Sequence, residues 1–175
     1  FYGFDDIMTE SPQVVKGFID IYSKWISSTG VDGFRIDTAR HVNEAFWQAF
    51  IPAILKAAKA AGKNDFPIYG EIFDSNPLTT AQFVRNQAFP GVLDFAFQSN
   101  VTSYVTNGRG AEKLVELFNA DDLYTTSTTS AYGLTTFLGN HDMGRIGMFI
   151  DNAARDEADA LAKSKLANAL LFLLR

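Results

Sequence analysis

Arg35 and Asp37 stand two residues apart inside a strand-like run, Gly-Val-Asp-Gly-Phe-Arg-Ile-Asp-Thr-Ala-Arg-His over residues 30–41. Alternation along a strand puts Val31, Gly33, Arg35 and Asp37 on one face and Phe34 and Ile36 on the other. A parallel strand under helices is normally apolar on both faces, so an arginine followed by an aspartate at its C-terminal end needs a reason. One reading is a buried structural ion pair. The other is that Arg35 keeps Asp37 ionised and aimed where a substrate can reach it. Two further runs end the same way: Phe66 to Glu71 arrives at Gly70-Glu71, and Leu134 to Leu138 leads into Gly-Asn-His-Asp-Met-Gly-Arg, residues 139–145.

Two carboxylates facing one cleft divide their roles, because the second proton leaves against the field of the first negative charge. Arg35 favours the ionised form of Asp37, whereas Glu71 has no cation beside it in sequence and is the candidate to deliver a proton to a leaving group. A pair about 5 Å apart fits retaining glycoside hydrolysis, in which one carboxylate attacks the anomeric carbon and the other protonates the glycosidic oxygen. Asp142, next to His141 and three residues before Arg145, would then grip sugar hydroxyls more tightly as the ring flattens. A metal centre is the rival, since Asp37, His41, Glu71, His141 and Asp142 are all ligand types. Neither histidine belongs to a His-x-x-x-His or His-Glu-x-x-His motif, and Arg35 and Arg145 would set positive charge beside a cation. A structural calcium held by loop oxygens fits better, although no twelve-residue calcium loop is present.

The elements that must carry these residues follow from caps and periodicity. Phe1 to Glu10 reads as loop, with Asp5 and Asp6 as polar contacts. Ser11-Pro12 starts a helix with an apolar stripe from Val14 to Ile26, closed by Gly30. Asn43 caps a second helix with Phe46, Phe50, Ile54, Ala57 and Ala61 on its apolar face and Gly62 as terminator. Pro52 predicts a kink or break in it. In the strand Phe66 to Glu71 the buried face would run Pro67, Tyr69, Glu71. Asn76-Pro77 opens a third helix to about Ala88, and Gly91 to Phe97 reads as a third strand, with Asp94 as a structural carboxylate. Two helical pieces, joined near Gly108 and Gly110, cover Ser99 to Ala120. Asp121 to Tyr132, with six Ser or Thr, reads as loop. Leu134 to Leu138 is the fourth strand, and a last helix from about Asp156 turns Ala162, Leu166, Ala169, Leu170 and Leu173 inward.

Helices and strands alternate throughout, which implies right-handed crossovers and a parallel sheet. A doubly wound sheet concentrates its site at one switch point, while a (β/α)8 barrel takes a residue from each of several strand ends. Asp37, Glu71 and Asp142 occupy three strand ends, so the expectation is an α/β fold: a partial TIM barrel of four parallel strands with flanking helices, one catalytic domain over residues 1–175.

Composition is that of a globular domain, 47% hydrophobic and 20% charged, with sixteen Phe, six Tyr and two Trp. A net charge of −5 without any basic block argues against nucleic acid as a partner. With no cysteine, thiolate catalysis and disulfides are excluded. No run of eighteen apolar residues suggests a membrane span, and no signal peptide is evident. Residue 1 is Phe and the last six residues are Leu-Leu-Phe-Leu-Leu-Arg, the apolar interior of a helix, so both ends look cut and the rest of a parent polypeptide is an expected partner.

The three polar segments together resemble those of the α-amylase family, retaining glucan-active enzymes on a (β/α)8 barrel. Gly33-Phe-Arg-Ile-Asp-Thr-Ala-Arg-His41 is similar to the segment at the end of strand four, Gly70-Glu-Ile-Phe-Asp74 to that of strand five, and Phe137-Leu-Gly-Asn-His-Asp142 to that of strand seven. The resemblance implies Asp37 as nucleophile, Glu71 as acid/base, Asp142 as the transition-state aspartate, and Arg35, Arg40, His41, His141 and Arg145 as substrate-binding residues. It implies an α-glucan or oligosaccharide substrate, no organic cofactor, and in calcium-dependent members a calcium taking the backbone oxygen of His41. An extracellular or periplasmic location is favoured. Transglycosylation or sugar isomerisation with the same acids, and a noncatalytic binding relative, are the alternatives. No strand-three Asn-His segment and no strand eight are present, so these residues alone are expected to be inactive and poorly stable.

Overall fold

Strands β1 (Phe34–Ile36), β2 (Ile68–Gly70) and β3 (Gly91–Val92) lie side by side in chain order and parallel in the computed structural model, which describes residues 6–108 and 110–175. The register pairs Phe34 with Ile68, Ile36 with Gly70 and Gly70 with Val92. Parallel neighbours need a crossover. Helix α2 (Glu44–Ala60) makes the first and α3 (Pro77–Asn86) the second. Helix α1 (Pro12–Thr29) precedes β1 and packs on α2. The expected parallel α/β arrangement is what the chain adopts. Asp5 lies outside the described residues, and Asp6 is exposed.

Local signals set most helix ends. Ser11 occupies the cap position of α1 without a side-chain bond, so Pro12 supplies the start. Gly30, at φ 73°, closes the helix by giving its N–H to Ile26 O at 3.1 Å. Asn43 and Asn76 accept the N–H of Phe46 and Leu78, at 2.9 and 3.0 Å. Pro52 does not break α2. Phe50, Ile51 and Ile54 are all at most 1% exposed around it. Burying each contributes about 1.5–3 kcal/mol, which in sum outweighs about 3 kcal/mol for an interior proline.

The sheet departs from expectation in three places. In β2 the buried face is Phe66, Ile68 and Gly70, whereas Pro67 is exposed and Tyr69 half-buried; of the expected face only Glu71 is buried. The helices cover the Phe66 face, where Phe34 and Phe66 meet edge to face at 5.3 Å. The third strand stops at Val92 because Asp94 accepts the N–H of Phe97 at 2.8 Å and starts α4 (Phe95–Asn107). Phe95 to Phe97, read as strand, is the first turn of that helix. The expected fourth strand is reduced to one parallel bridge, Leu93 to Thr135, with Thr135 N–H to Val92 O at 3.1 Å and Asp94 N–H to Thr135 O at 3.0 Å. With β3 ending so early, Thr136 to Leu138 have no ladder to join.

Helices α4, α5 (Glu112–Asn119), α6 (Ile146–Ala153) and α7 (Glu157–Leu173) enclose a second core around Phe97, Val101 and Ala167. Helix α6 has no counterpart in the sequence reading. On α7 the packed residues are Ala160, Ala167, Leu170 and Leu171, with Leu174 just past its end, while the expected Ala162, Leu166, Ala169 and Leu173 are exposed. From Leu166 to Leu173 only Asn168 is polar, so periodicity does not select the inward face. No helix among the described residues is long and apolar enough to cross a membrane.

Asp94 is buried with Arg175, whose Nη1 lies 3.0 Å from Asp94 Oδ2 and whose Nε lies 3.0 Å from Asp121 Oδ1. The Asp94–Arg175 contact is ionic without hydrogen-bond alignment, since neither of those two atoms has a hydrogen-bond partner. Burial pushes the Asp94 carboxyl above the usual carboxylate range, against the opposing pull of Arg175 and the Phe97 N–H. A raised folded-state pKa means the folded state holds the proton longer than the unfolded one. Stability from this group is therefore full below an ordinary carboxylate pKa of about 3.9 and declines as pH rises through the raised value. Asp94→Asn keeps an acceptor for the Phe97 N–H and removes the charge. Thermal unfolding of the polypeptide carrying this chain, followed from pH 4 upward, is expected to show melting temperature falling less, or rising more, with pH in the variant than in the parent; an unchanged slope would contradict the assignment.

Candidate active site

The β1–β2 register brings the two carboxylates together. Ile36 pairs with Gly70, so Asp37 and Glu71 are the next residues on adjacent strands, and the Glu71 N–H continues the ladder to Ile36 O at 2.8 Å. Both side chains emerge at the C-terminal edge of the sheet. The turn after Asp37 is anchored through Ala39, fully buried, whose carbonyl accepts the indole N–H of Trp47 at 3.1 Å.

Arg35 reaches both acids. Its Nη1 donates to Asp37 Oδ1 at 2.8 Å and its Nη2 to Glu71 Oε1 at 2.9 Å. One planar fork therefore fixes the spacing of the pair. The cation absent beside Glu71 in sequence is present in space. Partial burial pulls the Arg35 guanidinium pKa down, but the bond to Asp37 and the charges of Glu71 and Asp37 outweigh it and raise it overall. The acids differ in access: the side chain of Glu71 is 8% exposed and that of Asp37 66%.

Thr38 supplies a contact that the sequence did not suggest. Its N–H donates to Glu71 Oε2 at 3.1 Å, from a left-handed backbone at φ 45°. For a β-branched residue that conformation costs about 1–2 kcal/mol. Strain of this kind persists where surrounding structure holds it, commonly at functional sites. Nothing in the residue type announces it.

Arg40 and His41 follow on a short 3-10 turn, Ala39–His41, in which the His41 N–H donates to Thr38 O at 2.9 Å. Arg40 Nη1 reaches Asp74 Oδ2 at 3.3 Å, and Asp74 Oδ1 accepts the Asn76 N–H at 2.8 Å. Asp74 thus ties the turn after Asp37 to the segment after Glu71, a link 34 residues long that local reasoning missed.

His141 and Asp142 sit on a separate turn between Asn140 and Gly144, with His141 Nε2 3.4 Å from Asp142 Oδ2 and both side chains exposed. Among the described residues, Asp142 makes no hydrogen bond or ion pair with Arg35, Asp37 or Glu71. Arg145, also exposed, stands at the start of α6. A cleft of about 390 Å³ lined by Phe73, Asp74, Phe95, Gln98 and Met143 runs between the segment after Glu71 and the residue after Asp142.

The described residues contain no group of three or more His, Cys, Asp or Glu able to hold a metal ion.

All 175 residues match the family model for the α-amylase catalytic domain. An α-amylase of Streptomyces lividans is 43% identical over the whole chain, which covers 19% of that protein. A cyclomaltodextrin glucanotransferase of Klebsiella oxytoca is 28% identical over 83% of the chain and 23% of its own length. The chain spans about a fifth of the length of these curated relatives. Among solved structures, the α-amylase of Geobacillus thermoleovorans complexed with acarbose superposes with a TM-score of 0.81 at 29% identity, over 98% of this chain and 36% of that one. An Anoxybacillus α-amylase gives 0.83 at 26%, over 98% and 35%. Three polar segments, the parallel sheet that aligns two of them, and a family match from the first residue to the last lead to one assignment: the chain belongs to the α-amylase catalytic-domain family.

Proposed function

We propose that the polypeptide carrying this chain cleaves α-glucosidic bonds in starch-like polymers or oligosaccharides by retaining double displacement. The observation that carries the reading is the single guanidinium of Arg35 bonded to Asp37 and to Glu71 on adjacent strand ends. Asp37, the more exposed acid, attacks the anomeric carbon as the bond to the glycosidic oxygen breaks, and Glu71 gives that oxygen its proton. A water then adds to the anomeric carbon, its proton passes to Glu71, and the ester bond to Asp37 breaks. Asp142 and His141 hold sugar hydroxyls as the ring flattens, Arg145 contributes a further substrate contact, and Arg40 and His41 line the sugars beyond the scissile bond. A starch-like polymer is too large to enter a cell, so action outside the cytoplasm goes with this substrate.

A sugar hydroxyl in place of water would make the same residues a transglycosylase, and one relative is a glucanotransferase by name. One experiment addresses both reactions. Incubation with soluble starch is expected to release reducing ends whose first-formed anomer, followed by proton NMR, is α. A β anomer would overturn double displacement, absence of any α-glucan cleavage would overturn the substrate class, and longer oligosaccharides without new reducing ends would establish transfer.

A further inference from the structure

We infer that Asn140 is a positioning residue that fixes His141 and Asp142 for transition-state binding; this rests on the glucan-cleaving reading above. Its Oδ1 accepts two backbone N–H groups, those of Asp142 and Met143, each at 3.0 Å. Its carbonyl accepts the Gly144 N–H at 3.1 Å, closing an antiparallel bridge across the turn. One side chain thus ties down the backbone of the residue proposed to grip the flattened sugar.

Every one of these bonds lies within four residues, so the turn is self-contained. Its ends admit little else: Gly144 sits at φ 96°, and a Cβ on Gly139 would lie 2.4 Å from the Gly144 carbonyl oxygen. An Asn whose side chain bonds the backbone two residues on is a recognised turn former. The buried Nδ2 of Asn140 has no hydrogen-bond partner. The side chain therefore acts in this turn through its oxygen alone, and replacing the nitrogen by oxygen breaks no bond within the chain.

The cost of losing that oxygen falls on aim. Asp142 is exposed enough for water to take over its freed N–H. A displacement of about 1 Å at a catalytic group can nevertheless cost about 100-fold in rate. An interaction made only in the transition state is lost from kcat and leaves KM in place.

The test uses Asn140→Ala and Asn140→Asp in the polypeptide carrying this chain. Hydrogen exchange at the Asp142 and Met143 amides is expected to speed up at least tenfold in Asn140→Ala and to be restored in Asn140→Asp, which keeps an acceptor oxygen. On starch, kcat is expected to fall about 100-fold in Asn140→Ala with KM within about threefold of its starting value. Affinity for a cationic sugar mimic with a flattened ring is expected to fall in step with kcat, and Asn140→Asp to recover at least tenfold of the loss. Unchanged amide exchange would overturn the inference, as would freed amides with full kcat, or a joint collapse of kcat, KM and melting temperature without rescue. If the unmutated polypeptide cleaves no α-glucan, the functional reading fails with the catalytic half of this inference, while the exchange arm still decides whether Asn140 holds the turn.

Discussion

Asp37→Ala, made in the polypeptide that carries this chain, is expected to lower cleavage of both starch and an α-glucoside with an activated leaving group by about 10⁴-fold or more, the scale on which loss of a nucleophile acts. The two substrates fall together because the attacking oxygen is needed however good the leaving group is. Asp37 offers an open side chain at the C-terminal edge of the sheet, with one oxygen bonded to Arg35. Its partner Glu71 is buried, and both of its oxygens accept hydrogen bonds from the chain. Trapping with a slowly hydrolysed glucoside and mapping the labelled peptide checks the assignment directly. A sugar covalently attached to any residue other than Asp37 would refute it.

Replacing Glu71 should split the substrates. Without a proton donor, starch cleavage is expected to fall by about 10²–10⁴-fold, the range general acid catalysis contributes, while the first turnover of an activated glucoside is expected to stay within about tenfold. Alanine, however, also removes the acceptors for Arg35 Nη2 and the Thr38 N–H. Glu71→Gln keeps one acceptor oxygen, for one of these two donors, without the acid, and so separates proton delivery from that contact. If Glu71→Ala and Glu71→Gln lose starch cleavage equally and both spare the burst on the activated substrate, proton delivery is the dominant role. Recovery of starch cleavage by Glu71→Gln would assign the glutamate to holding Arg35 and Thr38 instead.

The parts of this site legible in the sequence are those that depend on neighbours in the chain. Arg35 and Asp37 are two residues apart on one strand, and Gly70-Glu71 ends an apolar run as a catalytic strand would. Parallel order then follows from alternation with helices. What was not legible depends on distance. Arg35 meets Glu71 across 36 residues, and Arg40 meets Asp74 across 34. Thr38 takes a backbone that its residue type disfavours, which only the surrounding fold can impose. The early end of β3 was readable in hindsight, because Asp94 followed by the uniformly apolar Phe95, Ala96 and Phe97 fits a capped buried helix as well as a strand. Asn140, four residues before a glycine, carried a turn signal that the neighbouring His-Asp pair overshadowed.

The two-armed contact of Arg35 also sets the charge of the cluster through a reaction cycle on the proposed roles. When Glu71 holds the proton it is to deliver, the one fixed positive guanidinium faces one ionised aspartate and one neutral acid. Once the sugar is esterified to Asp37 and the proton has left Glu71, the same guanidinium faces a neutral ester and one carboxylate. Hydrolysis of the ester reverses both changes together. The three side chains therefore sum to zero at the beginning, in the covalent intermediate and at the end, with the negative partner exchanging from one arm of the fork to the other. No counter-ion has to enter or leave as the intermediate forms and decays, and the arginine meets both half-reactions without moving from its place between the strands.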